Sequence, residues 1–310
     1  MKHKGKIIAG GALVLVLGVA ALVFYLRSPV LVVSDEPFTL LYGSRRTKIR
    51  QVTAAIAAGR RVKQVMIAEA AGTDLLVLAL EEADPRPWCV FFPYRYADGA
   101  RRFHEQNPEI HTILLYGRVA QSGGRPTLAP DSESTGLFFE FSTDKKLDLY
   151  RTGRFAAILG GKKTGIIPVF IHRSDINAGK DAFLQGFGGS IPELEPRFYD
   201  SYAAFNVSGD FPLVVIAGSG AEYFDKNPQP PCILFTWLDP SLTSAKTLII
   251  MDDSVWAQLI PALNMVKKGL KSGLIPSKPL IFSTRVADNG VLRQLRKAAD
   301  SDMLSNTERP

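Results

Sequence analysis

The sequence predicts an α/β protein: two lobes of parallel sheet flanked by helices, preceded by one transmembrane helix. Three observations carry this. An uncharged apolar run opens the chain, short apolar runs then alternate with helical stretches, and a Gly-, Pro- and Ser-rich stretch divides that alternation into two blocks.

In "KIIAGGALVLVLGVAALVFYLRSPVLVVSDEPF", starting at Lys6, no charge occurs from Ile7 to Leu26. About twenty residues at helical rise suffice to cross a hydrocarbon core. A cleavable signal has a shorter apolar core and small residues at its A-x-A-like site, whereas this run ends in Phe24, Tyr25 and Leu26. A signal anchor over residues 7–26 is therefore expected ahead of a cleaved peptide, and no nearby cysteine offers a lipid attachment point. Lys2, Lys4 and Lys6 precede the run and only Arg27 follows closely, so residues 1–6 stay in the cytoplasm. Under either reading everything after Ser28 is exported, which makes the expected location the cytoplasmic (inner) membrane with an extracytoplasmic domain.

Hydrophobic residues make up 46% of the 310, enough for a substantial core in one large body or two lobes. The formal charge of +7 includes the three tail lysines, so the exported part is only mildly basic. Such a balance fits a solvated basic surface, anionic lipid headgroups or an acidic partner. No basic run with interleaved aromatics points to nucleic acid. Export permits a disulfide between Cys89 in "PWCVFF" and Cys232 in "PPCILF", but buried free thiols in separate strands are the preferred reading.

The first block, lobe 1 over residues 28–118, opens with the strand "VLVVS" and a helix in "SRRTKIRQVTAAIAAG", where Ile49, Val52, Ile56 and Ala57 recur at helical spacing. "RVKQVMIAEA" fits a strand or a short helix. "DLLVLAL", Asp74 to Leu80, and "WCVFF" are expected as strands, "ADGARRFHEQN" as a helix and "HTILLYG" as a strand. The stretch after Gly117 is the lobe boundary. Lobe 2, residues 136–244, repeats the plan with "LFFEF", a helix from Thr143 to Leu159, "GIIPVFIH", the helix "INAGKDAFLQGFGG", "FPLVVIAG" and "CILFTW". Return segments to lobe 1 are expected over about 245–275, containing "KTLIIM" and a helix with Pro261 inside it, and a crossover near 275–300. Residues 301–310 read as a disordered tail.

Hydrolytic signatures fail one by one. "AGSGAE" around Ser219 lacks the glycine that a nucleophile elbow needs, and "GGKKTG" puts Lys162 where a phosphate loop requires glycine. His104, His111 and His172 stand singly, so no metal site is expected, and neither a cofactor nor covalent chemistry is called for. Position then supplies the candidates, because parallel α/β sheets bind ligands beyond the carboxyl ends of their strands. Those ends carry Asp35, Phe92, Tyr94, Tyr116, Gly117, His172 to Asp175, Gly218, Ser219, Trp237 and Asp239. Flat rings beside hydrogen-bonding tips suit a nucleoside- or sugar-like solute, although each ring equally fits packing at the lobe interface.

Three stretches resemble the type 1 periplasmic binding proteins, most closely the basic membrane protein family with its purine nucleoside-binding lipoproteins. They are "RRFHEQNPEIHTILLYG", the stretch from Phe138 to Gly189 with Tyr150-x-x-Gly153, Lys163-Thr164-Gly165 and Phe183-x-x-Gly186-Phe187, and "CILFTWLDPSLTSAKTLIIMDDSVWAQLIPALNMVKKG". The resemblance implies a two-lobed fold over most of the exported chain. It also implies an aspartate for ribose hydroxyls where Trp237 stands, two residues before Asp239, and a lysine near Asp252; the lipobox cysteine is absent. Asp35 and the "AGSG" loop remain compatible with the family's pattern.

The expectation is thus a membrane-anchored extracytoplasmic solute-binding protein that closes two lobes on a small polar ligand for an ABC permease or a membrane sensor. The alternative is a degenerate fold kept as a structural or protein-interaction module, its pocket filled by aromatics.

Overall fold

A computed structural model of the protein describes residues 18–19, 22–34, 44–68, 72–93, 96–116, 136–161, 163–173, 176–188, 193–207, 209–218, 222–223, 230–235, 246–253, 255–286 and 288–300. Of the apolar amino-terminal run, residues 18–19 and 22–26 are helical, and the rest lies outside that set with the 301–310 tail. Among the described residues no helix is long and apolar enough to cross a membrane.

The elements in chain order are β1 (Val30–Ser34), α1 (Ser44–Ala58), β2 (Val62–Met66), α2 (Thr73–Glu81), β3 (Cys89–Pro93), α3 (Ala97–Gln106), β4 (His111–Tyr116) and β5 (Phe138–Thr143). Then follow α4 (Lys145–Gly160), β6 (Gly165–Phe170), α5 (Ile176–Phe187), β7 (Leu194–Tyr199), β8 (Val214–Ile216), β9 (Cys232–Phe235), β10 (Thr247–Asp252) and α6 (Val255–Lys267). The last are β11 (Ser272–Ile275), β12 (Lys278–Ile281) and α7 (Asn289–Ala299). Two six-stranded sheets result, in the orders β11-β5-β4-β3-β1-β2 and β12-β10-β9-β8-β6-β7. Val30 pairs with Val62 and Cys89 in parallel register in the first, and β6 pairs in parallel with β7 and β8 in the second. Only β12 is antiparallel among the pairings described, running against β10.

The described residues form two compact units. The first takes those within Met1–Leu115, Glu133–Phe141 and Leu259–Gly273, and the second those within Tyr116–Ser132, Ser142–Gln258 and Leu274–Pro310. The chain therefore passes between units inside β4, β5, α6 and β11. This redraws the return segment expected at 245–275: β10 completes the second sheet by pairing with β9, and only residues 259–273 return.

Two local expectations are also corrected. Asp74–Leu80 is part of helix α2, because its buried residues Leu76, Val77 and Leu80 fall on one helical face while Leu75 and Leu78 are exposed. A seven-residue apolar run gives no periodicity to separate the two states, and unbranched-at-Cβ leucines accept a helix readily. In α1 the inward face is made by Ala54 and Ala58, whereas Ile49, Val52 and Ile56 are 61, 60 and 74% exposed. The helix ends at Ala58, before Gly59, whose φ of +62° suits a residue without Cβ.

In the second unit each strand divides its side chains between two faces. Ile167, Val169, Val215 and Ile233 pack beneath Tyr150, Phe155 and Phe183 of the helices. Phe170, Val214, Ile216 and Cys232 face the other way, against Tyr199, Tyr202, Phe205, Phe211 and Tyr223. An aromatic connection between β7 and β8 thus takes part in covering that face.

Candidate functional site

In both sheets the strand order reverses once beside the first strand of the unit. β1 lies between β2 and β3, and β6 lies between β7 and β8. At such switch points the connecting chains leave in opposite directions and open a crevice at the strand carboxyl ends. The candidate positions follow from this: Ser34 and Pro93 end β1 and β3, and the chain past Phe170 and Ile216 leaves β6 and β8.

At the first switch point Ser34 is fully buried. Its Oγ accepts the Gln64 Nε2 donor at 2.7 Å and lies 3.3 Å from the Val65 carbonyl, which accepts its proton. The end of β1 is thereby tied to β2. Phe92 on β3 is 0% exposed and its ring centroid lies 5.9 Å from that of Phe103 on α3. Its faces are taken up by core packing. Tyr116 is the last residue of β4. Asp35, Tyr94, Ser219, Trp237 and Asp239 lie outside the described residues, as does the side chain of Tyr116.

At the second switch point the loops approach closely. A Cβ on Gly218 would collide with the backbone nitrogen of His172, so the chain leaving β8 passes the chain leaving β6 only because residue 218 is glycine. Ladder bonds bring the two to that spot: Ala217 N donates to Phe170 O at 2.8 Å, and Ile171 N donates to Tyr199 O at 2.9 Å. His172 and Arg173 emerge exposed, and Arg173 Nε stands 4.0 Å from the Asp200 carboxylate at the end of β7. Arg173 falls within the strand-end stretch His172 to Asp175 that the sequence offered, whereas sequence reasoning did not single out Asp200. Aromatics ending or following strands lie beneath, with Tyr199 and Phe205 ring centroids 5.1 Å apart and Phe170 and Tyr223 5.9 Å apart. Burial pushes the Tyr223 phenol up to about 12, with Tyr202 and Asp210 adding to it.

Among the described residues this edge offers hydrogen bonding and the Arg173 cation. An open hollow of about 500 Å³ does occur in the first unit, lined by Leu80, Asp84, Arg86, Phe103 and Asn107. It sits at the amino ends of the strands, and its polar groups engage one another: Arg86 donates to Asn107 at 3.0 Å, and Asn107 to Glu81 at 3.4 Å. The switch points remain the better candidate on topology.

No family model matches the chain, and no curated protein matches it. Solved structures do resemble it. An ABC transporter system solute-binding protein from Conexibacter woesei superposes with a TM-score of 0.57 at 10% identity, covering 92% of this chain and 98% of that one. An ABC transporter solute-binding protein from Agrobacterium vitis, bound with α-D-tagatopyranose, gives 0.46 at 12% identity over 86% and 98%. The chain has the two-sheet α/β fold of the type 1 periplasmic binding proteins.

Proposed function

We propose that the chain is an extracytoplasmic solute-binding protein, held in the cytoplasmic membrane by residues 7–26. It takes a nucleoside- or sugar-like ligand at the carboxyl edges of its parallel sheets and passes it to an ABC-type transporter or a sensor. The observation that carries this reading is the fold likeness to the Conexibacter woesei solute-binding protein over 92% of the chain. The switch point where Gly218 meets His172, with Arg173 exposed beside it, supports it. Descent from the basic membrane protein group is supported by the Tyr150-x-x-Gly153 and Phe183-x-x-Gly186-Phe187 steps.

A second reading, a fold retained as an interaction module without ligand, is favoured by the complete burial of Phe92. Thermal unfolding of the full chain in detergent micelles, against nucleosides, sugars and amino acids, separates the two. A ligand specific for the folded state adds about 2.7 kcal/mol at a hundredfold excess over its Kd. A midpoint raised by one solute class supports the binding protein and names its cargo, whereas a cooperative transition unmoved by every solute leaves the interaction module.

A further inference from the structure

The parallel registers of the first sheet line up the residues that precede its strands. Val30 N donates to Arg61 O at 2.8 Å, Trp88 N to Pro29 O at 2.9 Å, and His111 N to Trp88 O at 3.2 Å, so these chains arrive at one edge. That edge carries a basic rim. Arg27 Nη1 donates to Gly59 O at 3.3 Å and Arg60 Nη1 to Ser28 O at 3.1 Å. Arg60 lies 4.6 Å over the Trp88 ring and Arg61 4.3 Å over the Tyr25 ring. From the end of α6, Lys267 donates to Ala57 O at the end of α1 at 3.2 Å, which places "KKGLK", Lys267 to Lys271, beside the same edge.

Apart from Glu140, whose backbone N–H donates to Lys271 O at 3.0 Å, carboxylates at this end gather elsewhere among the described residues. β1 to β2 and β2 to β3 run in opposite directions across the sheet, so right-handed crossovers put α1 and α2 on opposite faces. Glu81, Glu82, Asp84 and Glu109 follow α2 and α3, which pack on each other. Arg27, Arg60, Arg61 and the three lysines follow the α1 side. Tyr25 at 64% and Leu270 at 46% exposure stand within that basic half, on the side where α1 also exposes Ile49, Val52 and Ile56. Leu270 is flanked by Lys268, whose long stem lets an apolar neighbour sink while its ammonium group stays at headgroup level, and by Lys271, whose Nζ donates to Gly136 O and lies 4.6 Å over the Phe139 ring. Aromatic rings with a polar tip favour the same depth. Arg27 directly follows Leu26, the last residue of the apolar run, so the rim begins where that run ends.

We propose that this rim, Arg27, Arg60, Arg61, Lys267, Lys268 and Lys271 around Tyr25 and Leu270, docks on anionic phospholipid headgroups. It holds the α1 side of the first unit against the bilayer and turns the acidic α2 side away. The proposal rests on the reading of residues 7–26 as an anchor. It fixes which end of the first sheet faces the membrane, leaving the strand carboxyl ends pointed toward the aqueous phase where solute arrives.

The test uses the full chain with Leu270→Cys carrying a nitroxide, and Glu82→Cys as the control on the acidic half. Each is reconstituted into phosphatidylcholine vesicles with or without about 30% phosphatidylglycerol. Collisional relaxation by oxygen against a water-soluble nickel chelate reads immersion. Docking gives an immersed label at 270 on anionic vesicles only, a tenfold or greater loss of immersion in about 0.5 M salt, and an aqueous label at 82 throughout. Replacing the lysines together (Lys267→Gln, Lys268→Gln, Lys271→Gln) abolishes the signal. An aqueous label at 270 on anionic vesicles, in chains that float with them after an alkaline wash, overturns the docking and leaves the anchor standing. Chains that do not float overturn both.

Discussion

The carboxylate of Asp148, in the first turn of α4, accepts the backbone N–H of Ser277 at 2.8 Å and the Ser277 hydroxyl as well. The pair joins the helix start to the turn after β11 inside the second unit, and Asp148 is 1% exposed. Burial raises its pKa from 3.8 to about 7 despite the Ser277 bonds, with Asp253 and Asp144 adding repulsion. Between those values the folded chain holds a proton that the unfolded chain has released, so stability falls as pH rises from about 4 to 7 and stays lower above it. The span sets an upper limit on the order of 4 kcal/mol. In Asp148→Asn the amide oxygen still accepts from Ser277 N while the charge is gone. Urea unfolding at pH 5 and pH 8 should show a fall for the native protein that the variant lacks; equal falls in both would assign the pH dependence elsewhere.

Helices α4 and α5 touch through glycines. A Cβ on Gly186 would collide with the Tyr150 carbonyl oxygen, and one on Gly153 with that of Phe183. The two glycine-containing steps that carried the family resemblance are therefore the two sides of a single helix contact. Gly186→Ala cannot be absorbed by a rotamer change, since the obstacle is backbone, so the helices must separate. A loss of at least about 2 kcal/mol is expected by urea unfolding, against about 0.5 kcal/mol or less for Gln185→Ala on the exposed side of the same helix. Comparable losses at both positions would mean the crossing is looser than this geometry.

Legibility in the sequence followed burial. The strands buried on both faces, such as β1, β3, β6 and β9, stood out as apolar runs. β7, "LEPRFY", and β11, "SGLI", went unread because both are sheet edges, where one side of the strand stays polar. The outward apolar face of α1 defeated periodicity in another way, since the alanines that pack inward carry less signal than the isoleucines that do not. At the site, the strand ends were found by topology, but Phe92 shows that a ring at a strand end can belong wholly to the core. Arg173 was reached by position alone, inside the strand-end stretch His172 to Asp175, while Asp200 is a lone charge in a turn that nothing local in the sequence marks.

The two thiols test the interior of each sheet. Cys89 sits in register with Val30 in the first, and Cys232 with Val214 in the second, both free and buried. Burial raises both thiols, Cys89 well above its ordinary value and Cys232 to about 11, against a weaker pull from Thr247. At pH 8 a thiol of that acidity is roughly one part in a thousand thiolate, the reactive form. An aromatic disulfide reagent should find almost no reactive thiol in the native chain and both in guanidinium. Rapid reaction of either in the native protein would reveal local opening of its sheet, and the Cys89→Ser and Cys232→Ser variants would tell which.

Phe205 holds the connection between β7 and β8 onto the second sheet. Its ring lies 5.4 Å from Phe170, 5.1 Å from Tyr199 and 5.7 Å from Tyr223, so it joins residues from three parts of the unit. Because Phe205 is half-buried, Phe205→Ala should cost less than the 3–5 kcal/mol of a core phenylalanine, about 2 kcal/mol, and Phe205→Leu under about 1.5. The loss should be local in character. Amide exchange of β8 should accelerate more than that of β1, since Val214 and Ile216 lose their cover while the first sheet is untouched. If the switch point where Gly218 meets His172 takes the solute, the same variant should weaken binding without any contact to the ligand, by loosening the floor under that edge. Uniform acceleration across both sheets would instead mean that the aromatic connection supports global stability alone.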